Sequence, residues 1–273
     1  MMASKQFKAF EHAGWESVVS EYDAAFGHLT IQAIGPLLDA VGAGRGMRLL
    51  DVATGPGYVA AEAAKRGAGV VGVDLSAPMV AEGRRRHPTI EFREGDAEAL
   101  PFPADSFDAV VMNFGMLHLG RPDEALVEAH RVLRPGGRVA FTVWAKPPET
   151  VGFDIVLRAI QAHGNTSVPL PEGPPFFRFS EPEECVQTLH AAGFAHPRVT
   201  TVPQCWCLPA PDALFEAMRG ATVRTAGLLR AQTDRVLDAI RTAMRAAASA
   251  YSRDGIIELP MPAVLASGVK SDS

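Results

Sequence analysis

Asp51-Val52-Ala53-Thr54-Gly55-Pro56-Gly57-Tyr58-Val59-Ala60 carries the sharpest chemical signature of this 273-residue chain. Small residues let a ligand approach the backbone closely. A helix that begins at such a loop offers free N–H groups and a favourable dipole. Gly55-Pro56-Gly57-Tyr58-Val59-Ala60 fits the dinucleotide pattern G-x-G-x-x-A. Asp74 stands where folds of that kind place an acid for ribose hydroxyls. These two features indicate an adenosine-bearing ligand. They leave open a nucleotide cofactor, and also a tight turn that binds nothing. Three more features separate the readings. Asp51 lies four residues before Gly55, where an acid would repel a pyrophosphate and suit an ammonium or sulfonium. A second acidic loop follows, Gly95-Asp96-Ala97-Glu98-Ala99-Leu100-Pro101-Phe102. Then come Asn113-Phe114-Gly115-Met116-Leu117-His118 and the turn Leu133-Arg134-Pro135-Gly136-Gly137-Arg138.

Other side chains offer fewer possibilities. His118 is the candidate general base, against a competing role in packing. His163, His190 and His196 fall in helix ends or turns. Trp15 and Tyr22 are seven apart on one face of an N-terminal helix, where core packing competes with ligand contact. Arg84-Arg85-Arg86-His87 reads as a solvated helix face, since no aromatics interleave it. So do Arg224, Arg230, Arg235, Arg241 and Arg245. Cys205-Trp206-Cys207 is spaced too closely for a zinc knuckle. With Cys185, these cysteines read as structural thiols of a reduced, cytoplasmic protein, and no metal is expected.

The elements that must hold these residues follow from periodicity. Residues 5–42 look helical, with Phe7, Phe10, Trp15, Val18, Val19, Tyr22 and Phe26 at helical spacings. Short apolar runs then alternate with helical stretches. Strands are predicted at 48–52, 69–73, 90–92, 107–112 and 138–143, with helices at 57–66, 77–86 and 122–133. Continuous apolar strands alternating with helices imply a buried parallel sheet with helices on both faces. After Trp144, prolines punctuate the chain. Helices are predicted near 151–163, 181–193, 211–220 and 228–252. A strand is predicted over 199–208, and strand-like runs over 256–269, broken by Pro260 and Pro262. The tail from Lys270 is expected to fray.

Hydrophobic residues make up 47% of the chain, enough for a substantial core, and the formal net charge is −5. No basic footprint for nucleic acid is present. No apolar run reaches the roughly 20 residues of a membrane-spanning helix, and the first residues lack a signal-peptide stretch.

The four motifs, in this order and spacing over residues 45–145, resemble the class I S-adenosylmethionine-dependent methyltransferases. The likeness is greatest to the small-molecule group that includes the ubiquinone/menaquinone-biosynthesis enzymes. Ala53 departs from the pattern, standing where many members have a glycine. The resemblance implies a doubly wound, seven-stranded, mostly parallel α/β sheet, the Rossmann-like methyltransferase fold, with a seventh strand antiparallel at one edge. It implies one domain: a helical cap over 1–44, a cofactor core over 45–145, a lid over 146–197, and the last two strands over 198–273 with a helical insertion at 211–253. It implies S-adenosylmethionine as cofactor, with Asp51 and the backbone of Ala53, Gly55 and Gly57 around its methionine part. Asp74 would take the ribose hydroxyls and Leu75 the adenine face. Asp96 would take the adenine amine and Ala97 a ring nitrogen. Asn113 and Phe114 would line the floor near the reactive methyl, and Tyr22 would fold over the cofactor. The expected activity is methyl transfer to a small organic acceptor, in a chain that pairs at most with a second copy of itself. A nucleotide-cofactor oxidoreductase and a non-catalytic binding module remain the alternatives.

Overall fold

A computed structural model describes residues 2–271. The chain opens with three helices, α1 (Met2–Ser17), α2 (Val19–Thr30) and α3 (Ile34–Ala40). Strands and helices then alternate: β1 (Arg48–Val52), α4 (Tyr58–Lys65), β2 (Gly69–Asp74), α5 (Ala77–Arg86), β3 (Glu91–Glu94), β4 (Phe107–Asn113), α6 (Pro122–Val132) and β5 (Leu133–Trp144). Beyond them lie α7 (Val151–His163), α8 (Pro182–Ala191), β6 (Phe194–Val202), β7 (Cys205–Leu208), α9 (Pro211–Gly220), α10 (Arg224–Arg230) and α11 (Asp234–Ser249). The chain ends in β8 (Ser252–Arg253), β9 (Ile256–Pro260) and β10 (Ala263–Lys270).

Seven strands form the main sheet in the order β3-β2-β1-β4-β5-β10-β6. β1 pairs in parallel with both β2 and β4, and the order reverses there. In open α/β sheets such a reversal opens a crevice at the carboxyl ends of the strands. Leu49, Leu50 and Val52 of β1 are buried, as are Val110 and Val111 of β4, because helices cover both faces. β10 runs antiparallel to both β5 and β6. The antiparallel strand therefore lies one place in from the edge, where the resemblance led us to expect it at the edge.

Four other expectations change. The predicted helix over 5–42 is three helices. Val18 leaves the helical region at φ −123°, ψ 18°, and a 3₁₀ turn over Ile31–Ala33 precedes α3. Pro36 has no N–H to offer the Gln32 carbonyl, which accounts for the second break. The strand expected over 199–208 is two strands, broken at Pro203. β6 joins the main sheet, while β7 pairs with β9 in a separate three-stranded sheet ordered β7-β9-β8. The helix expected over 228–252 is α10 and α11, separated at Gln232. That side chain donates to the carbonyls of Leu228 and Asn165 and accepts from Asn165 N, so it ties the break to the segment after α7. Lys270 is not frayed. It pairs with Phe194 in β10 and donates to Leu133 O at 2.7 Å and to Asp105 at 2.8 Å. No helix among the described residues is long and apolar enough to cross a membrane.

Candidate functional site

A cavity of about 160 Å³ opens at the carboxyl ends of β1, β2 and β4. Its floor is the glycine loop. Gly57 sits at φ +87° and starts α4, and a Cβ there would stand 2.6 Å from the Phe92 ring. The residue is thus glycine both for its backbone angle and for the ring against it. Ala53 and Gly55 line the cavity; Gly57 does not, so its part is to shape the loop.

Asp51 also stays out of the cavity lining. Its carboxylate is 1% exposed and turned into the loop. Oδ2 accepts from Thr54 Oγ1 at 2.6 Å and from Ala60 N at 3.1 Å, in the first turn of α4. Oδ1 is buried and has no partner among the described residues. Burial, helped by the nearby Asp74 charge, pushes this carboxyl up to about 7 despite those two hydrogen bonds.

Asp74 does face the cavity, at the end of β2. Oδ2 accepts from Gly55 N at 2.8 Å and Oδ1 from Ser76 N at 2.9 Å. Two backbone donors thereby fix the carboxylate plane, and each oxygen keeps a further lone pair for a ligand. Burial raises its pKa against those hydrogen bonds. Leu75 is 38% exposed at the rim of the cavity. Asp96 and Ala97 form the opposite lip. Asp96 Oδ1 accepts from Glu98 N at 3.0 Å, and its other oxygen is ion-paired with Lys8 from α1. Lys8 also reaches Glu98 at 3.2 Å.

The deeper walls are aromatic. Phe114 stacks on Trp144 with centroids 4.0 Å apart, and Trp144 packs on Phe153 at 5.7 Å. Phe114 holds φ +56°, in the left-handed region. Asn113 is fixed by Thr142 Oγ1, which donates to its Oδ1 at 2.6 Å, while its Nδ2 donates to Thr30 O at 3.1 Å. Tyr22 stacks on Phe26, and burial raises its hydroxyl to about 12, so it is a neutral donor. Trp15 and Tyr22 do not share a helix, because the break at Val18 separates them. Their rings nonetheless meet edge to face at 5.3 Å over the cavity.

His118 lies at the cavity wall beside Trp15, ring centroids 4.6 Å apart. Its Nδ1 is 3.0 Å from Glu11 Oε2. Glu11 is 3% exposed and also accepts from Trp15 Nε1 at 3.0 Å and from Arg224 Nε at 2.9 Å. Burial alone would raise the Glu11 carboxyl; His118 and Arg224 outweigh it and hold it below its ordinary value. Arg224 was expected on a solvated face. It instead lines the cavity and donates to Leu117 O at 2.6 Å and Pro174 O at 2.8 Å as well as to Glu11. Arg86, from the supposed solvated run, pairs with Asp23 at 2.8 Å and so ties α5 to α2.

The structure therefore gathers Tyr22, Ala53, Gly55, Asp74, Leu75, Asp96, Ala97, Asn113, Phe114 and His118 around one cavity and leaves Asp51 and Gly57 behind it. Sequence reasoning missed Lys8, Glu11 and Arg224. Glu11 had a signal, since an acid at the i+4 step between Phe7 and Trp15 interrupts an apolar helix stripe. Arg224 had none, because its partners are 50, 107 and 213 residues away. No cluster of metal-ligating side chains occurs among the described residues.

Residues 50–141 match the family model described as "Methyltransferase domain". A demethylmenaquinone methyltransferase of Renibacterium salmoninarum is 42% identical over 135 residues, which is 48% of this chain and 57% of that protein. A ubiquinone/menaquinone biosynthesis C-methyltransferase of Ruegeria is 38% identical over 150 residues, 49% of this chain and 58% of that one. The chain spans little more than half the length of these curated relatives. A solved methyltransferase of Thermotoga maritima, described as a possible histamine N-methyltransferase, superposes with a TM-score of 0.56 at 19% identity, over 95% of this chain and 99% of that one. At that identity the likeness is one of fold. By sequence, residues 50–141 are similar to a methyltransferase domain, and the fold of the whole resembles that of a solved methyltransferase.

Proposed function

We propose that this protein moves a methyl group from S-adenosylmethionine to a small organic acceptor held under α1, α10 and the segment after α7. The observation that carries the reading is one cavity with two chemistries. Carboxylates held by backbone N–H groups line one side, and stacked aromatic rings line the other. The acidic side suits a cationic adenosyl ligand. Asp74 keeps free lone pairs for two ribose hydroxyls.

The bound cofactor supplies an already activated methyl. The chain itself has to align the acceptor and exclude water, and such positioning supplies roughly 7–11 kcal/mol of a barrier. Phe114, Trp144, Phe153 and Phe176 give the acceptor an apolar wall. Lys8 closes α1 over the Asp96 lip. The names of the sequence relatives put quinone precursors first among acceptors to be screened.

Calorimetry with S-adenosylmethionine and with NAD tests the reading. We expect binding of the former alone, and a loss of at least about tenfold in Asp74→Ala, equivalent to about 1.4 kcal/mol. Equal affinity of the variant, or tighter binding of NAD, refutes the assignment.

A further inference from the structure

We infer that Glu11 and His118 form a proton-accepting dyad in which Glu11 is the positioning residue. The inference rests on the methyl-transfer reading above and names the proton acceptor within it.

The geometry leaves His118 one arrangement when neutral. An ionised carboxylate only accepts hydrogen bonds. Glu11 stays ionised because His118 and Arg224 flank it. The His118 nitrogen 3.0 Å from Glu11 Oε2 therefore carries the hydrogen, which makes the Nδ1–H tautomer. The Nε2 lone pair then belongs to the ring edge away from Glu11, on a side chain that lines the cavity and remains 22% exposed. Trp15 fixes the ring from one side at 4.6 Å, and Phe176 stands at 6.1 Å. A base held by a third group that is itself held is the usual architecture of an activated proton acceptor. Here Trp15 and Arg224 hold Glu11, and Glu11 holds His118.

The other charges around the dyad are already paired. The charged or titratable groups sharing the cavity with His118 are Lys8, Glu11 and His12 from α1, Tyr22 from α2, Asp74 at the end of β2, Asp96 and Glu98 from the loop after β3, and Arg224 from α10. Arg224 is spent on Glu11 and two carbonyls, and Lys8 on Asp96 and Glu98. His12 lies near Glu16. A phosphorylated or carboxylated acceptor would find no uncommitted guanidinium or ammonium among the described lining residues. The aromatic walls suit a ring instead. In the step, the acceptor O–H bond breaks and its proton joins His118 Nε2, giving an imidazolium paired with the Glu11 carboxylate. The electron pair left on the acceptor would form the new bond to the methyl group as the sulfur–methyl bond of the bound donor breaks to leave a neutral thioether. The positive charge lost by the sulfonium would equal the charge gained by His118.

The test begins without cofactor or acceptor. Nitrogen-15 NMR of the full chain, with His118 assigned through His118→Gln, should show the Nδ1–H tautomer for the neutral ring. In the isosteric Glu11→Gln that preference should weaken or invert. Methyl transfer is then measured with 1-naphthol, 1,4-naphthohydroquinone and 1-naphthylamine. We expect turnover of the hydroxylated rings. We also expect kcat about 100-fold lower in Glu11→Gln and at least as low in His118→Gln, at a cofactor Kd within about threefold of the parent. The acid limb of the pH–rate profile should move to lower pH in Glu11→Gln. An Nε2–H tautomer in the parent, or unchanged kcat in Glu11→Gln, overturns the dyad. Turnover of the amine only, or of no hydroxylated ring by a protein that binds S-adenosylmethionine, overturns the role of His118 as proton acceptor. Failure to bind S-adenosylmethionine at all refutes the proposed function instead, and the tautomer experiment still decides the Glu11–His118 geometry.

Discussion

Ala53 holds φ +53° at the lip of the cavity, a region that costs a residue with a Cβ roughly 1–2 kcal/mol. Ala53→Gly should relieve that strain and lose part of the gain to the freer unfolded chain. We expect a net stabilisation of about 0.5–1 kcal/mol in a denaturant titration; a lower midpoint would mean that the methyl group packs better than the backbone suffers. Asp51 makes a pH-dependent contribution. Its folded-state pKa, about 7, lies above the ordinary carboxylate value, so folding favours its protonated form. That stabilisation is complete below about pH 4 and is lost as pH rises from there through about 7. Asp51→Asn should abolish this part of the pH dependence. The variant should gain on the parent as pH rises from 4 to 8, by at most a few kcal/mol. Parallel stability curves for the two proteins would rule out Asp51 as the titrating group.

At the scale of elements, Arg224 is where four segments meet. From α10 it reaches Glu11 on α1, Leu117 in the 3₁₀ turn after β4, and Pro174 in the irregular segment after α7. Its guanidinium also lies 4.3 Å from the Phe7 ring centroid. Arg224→Met keeps most of the stem packing but leaves two carbonyls and part of Glu11 without donors. Removing one partner of a buried pair is costly. We expect a loss of about 2–4 kcal/mol and faster hydrogen exchange confined to α1 and residues 165–177. Exchange that quickens evenly over the main sheet would show that Arg224 supports the whole core rather than the cover of the cavity.

At the scale of the molecule, the chain divides its labour between a sheet that holds the glycine loop and the acidic loops and added segments that cover them. Phe215, Met218 and Leu229 of the insertion are buried within the chain itself. The segment after α7 packs downward: a Cβ at Gly173 would stand 2.4 Å from the Phe7 ring. Replacing residues 165–177 with a short Gly/Ser linker should abolish methyl transfer while S-adenosylmethionine binding stays within about threefold, measured by calorimetry. Retained turnover of the acceptor would mean that this segment is not part of the acceptor site.

The sequence by itself determined the glycine loop, the five alternating strands from β1 to β5, and Asp74 and Asp96 at their ends. These are local matters: apolar runs of strand length, a loop of small residues, and an acid at a strand terminus are each written within about ten consecutive positions. The breaks at Val18 and Gln232 were illegible because apolar periodicity continues across them, and only backbone angles and distant hydrogen bonds interrupt the helices; the break at Ile31–Ala33 was written in Pro36, which the periodicity overrode. Pro203 marked the break between β6 and β7, but not that they join different sheets. Both read as strand, and the choice of sheet depends on pairing with β10 and β9, about fifty or more residues later. Asp51 and Glu11 show the same division at the site. Residue type marked Asp51 as a ligand carboxylate, but the turn of the loop points it into the first turn of α4. Glu11 became a site residue only when α1 folded across the sheet and brought it against His118 and Arg224, because a charge so deeply buried is stable only among partners that tertiary structure supplies.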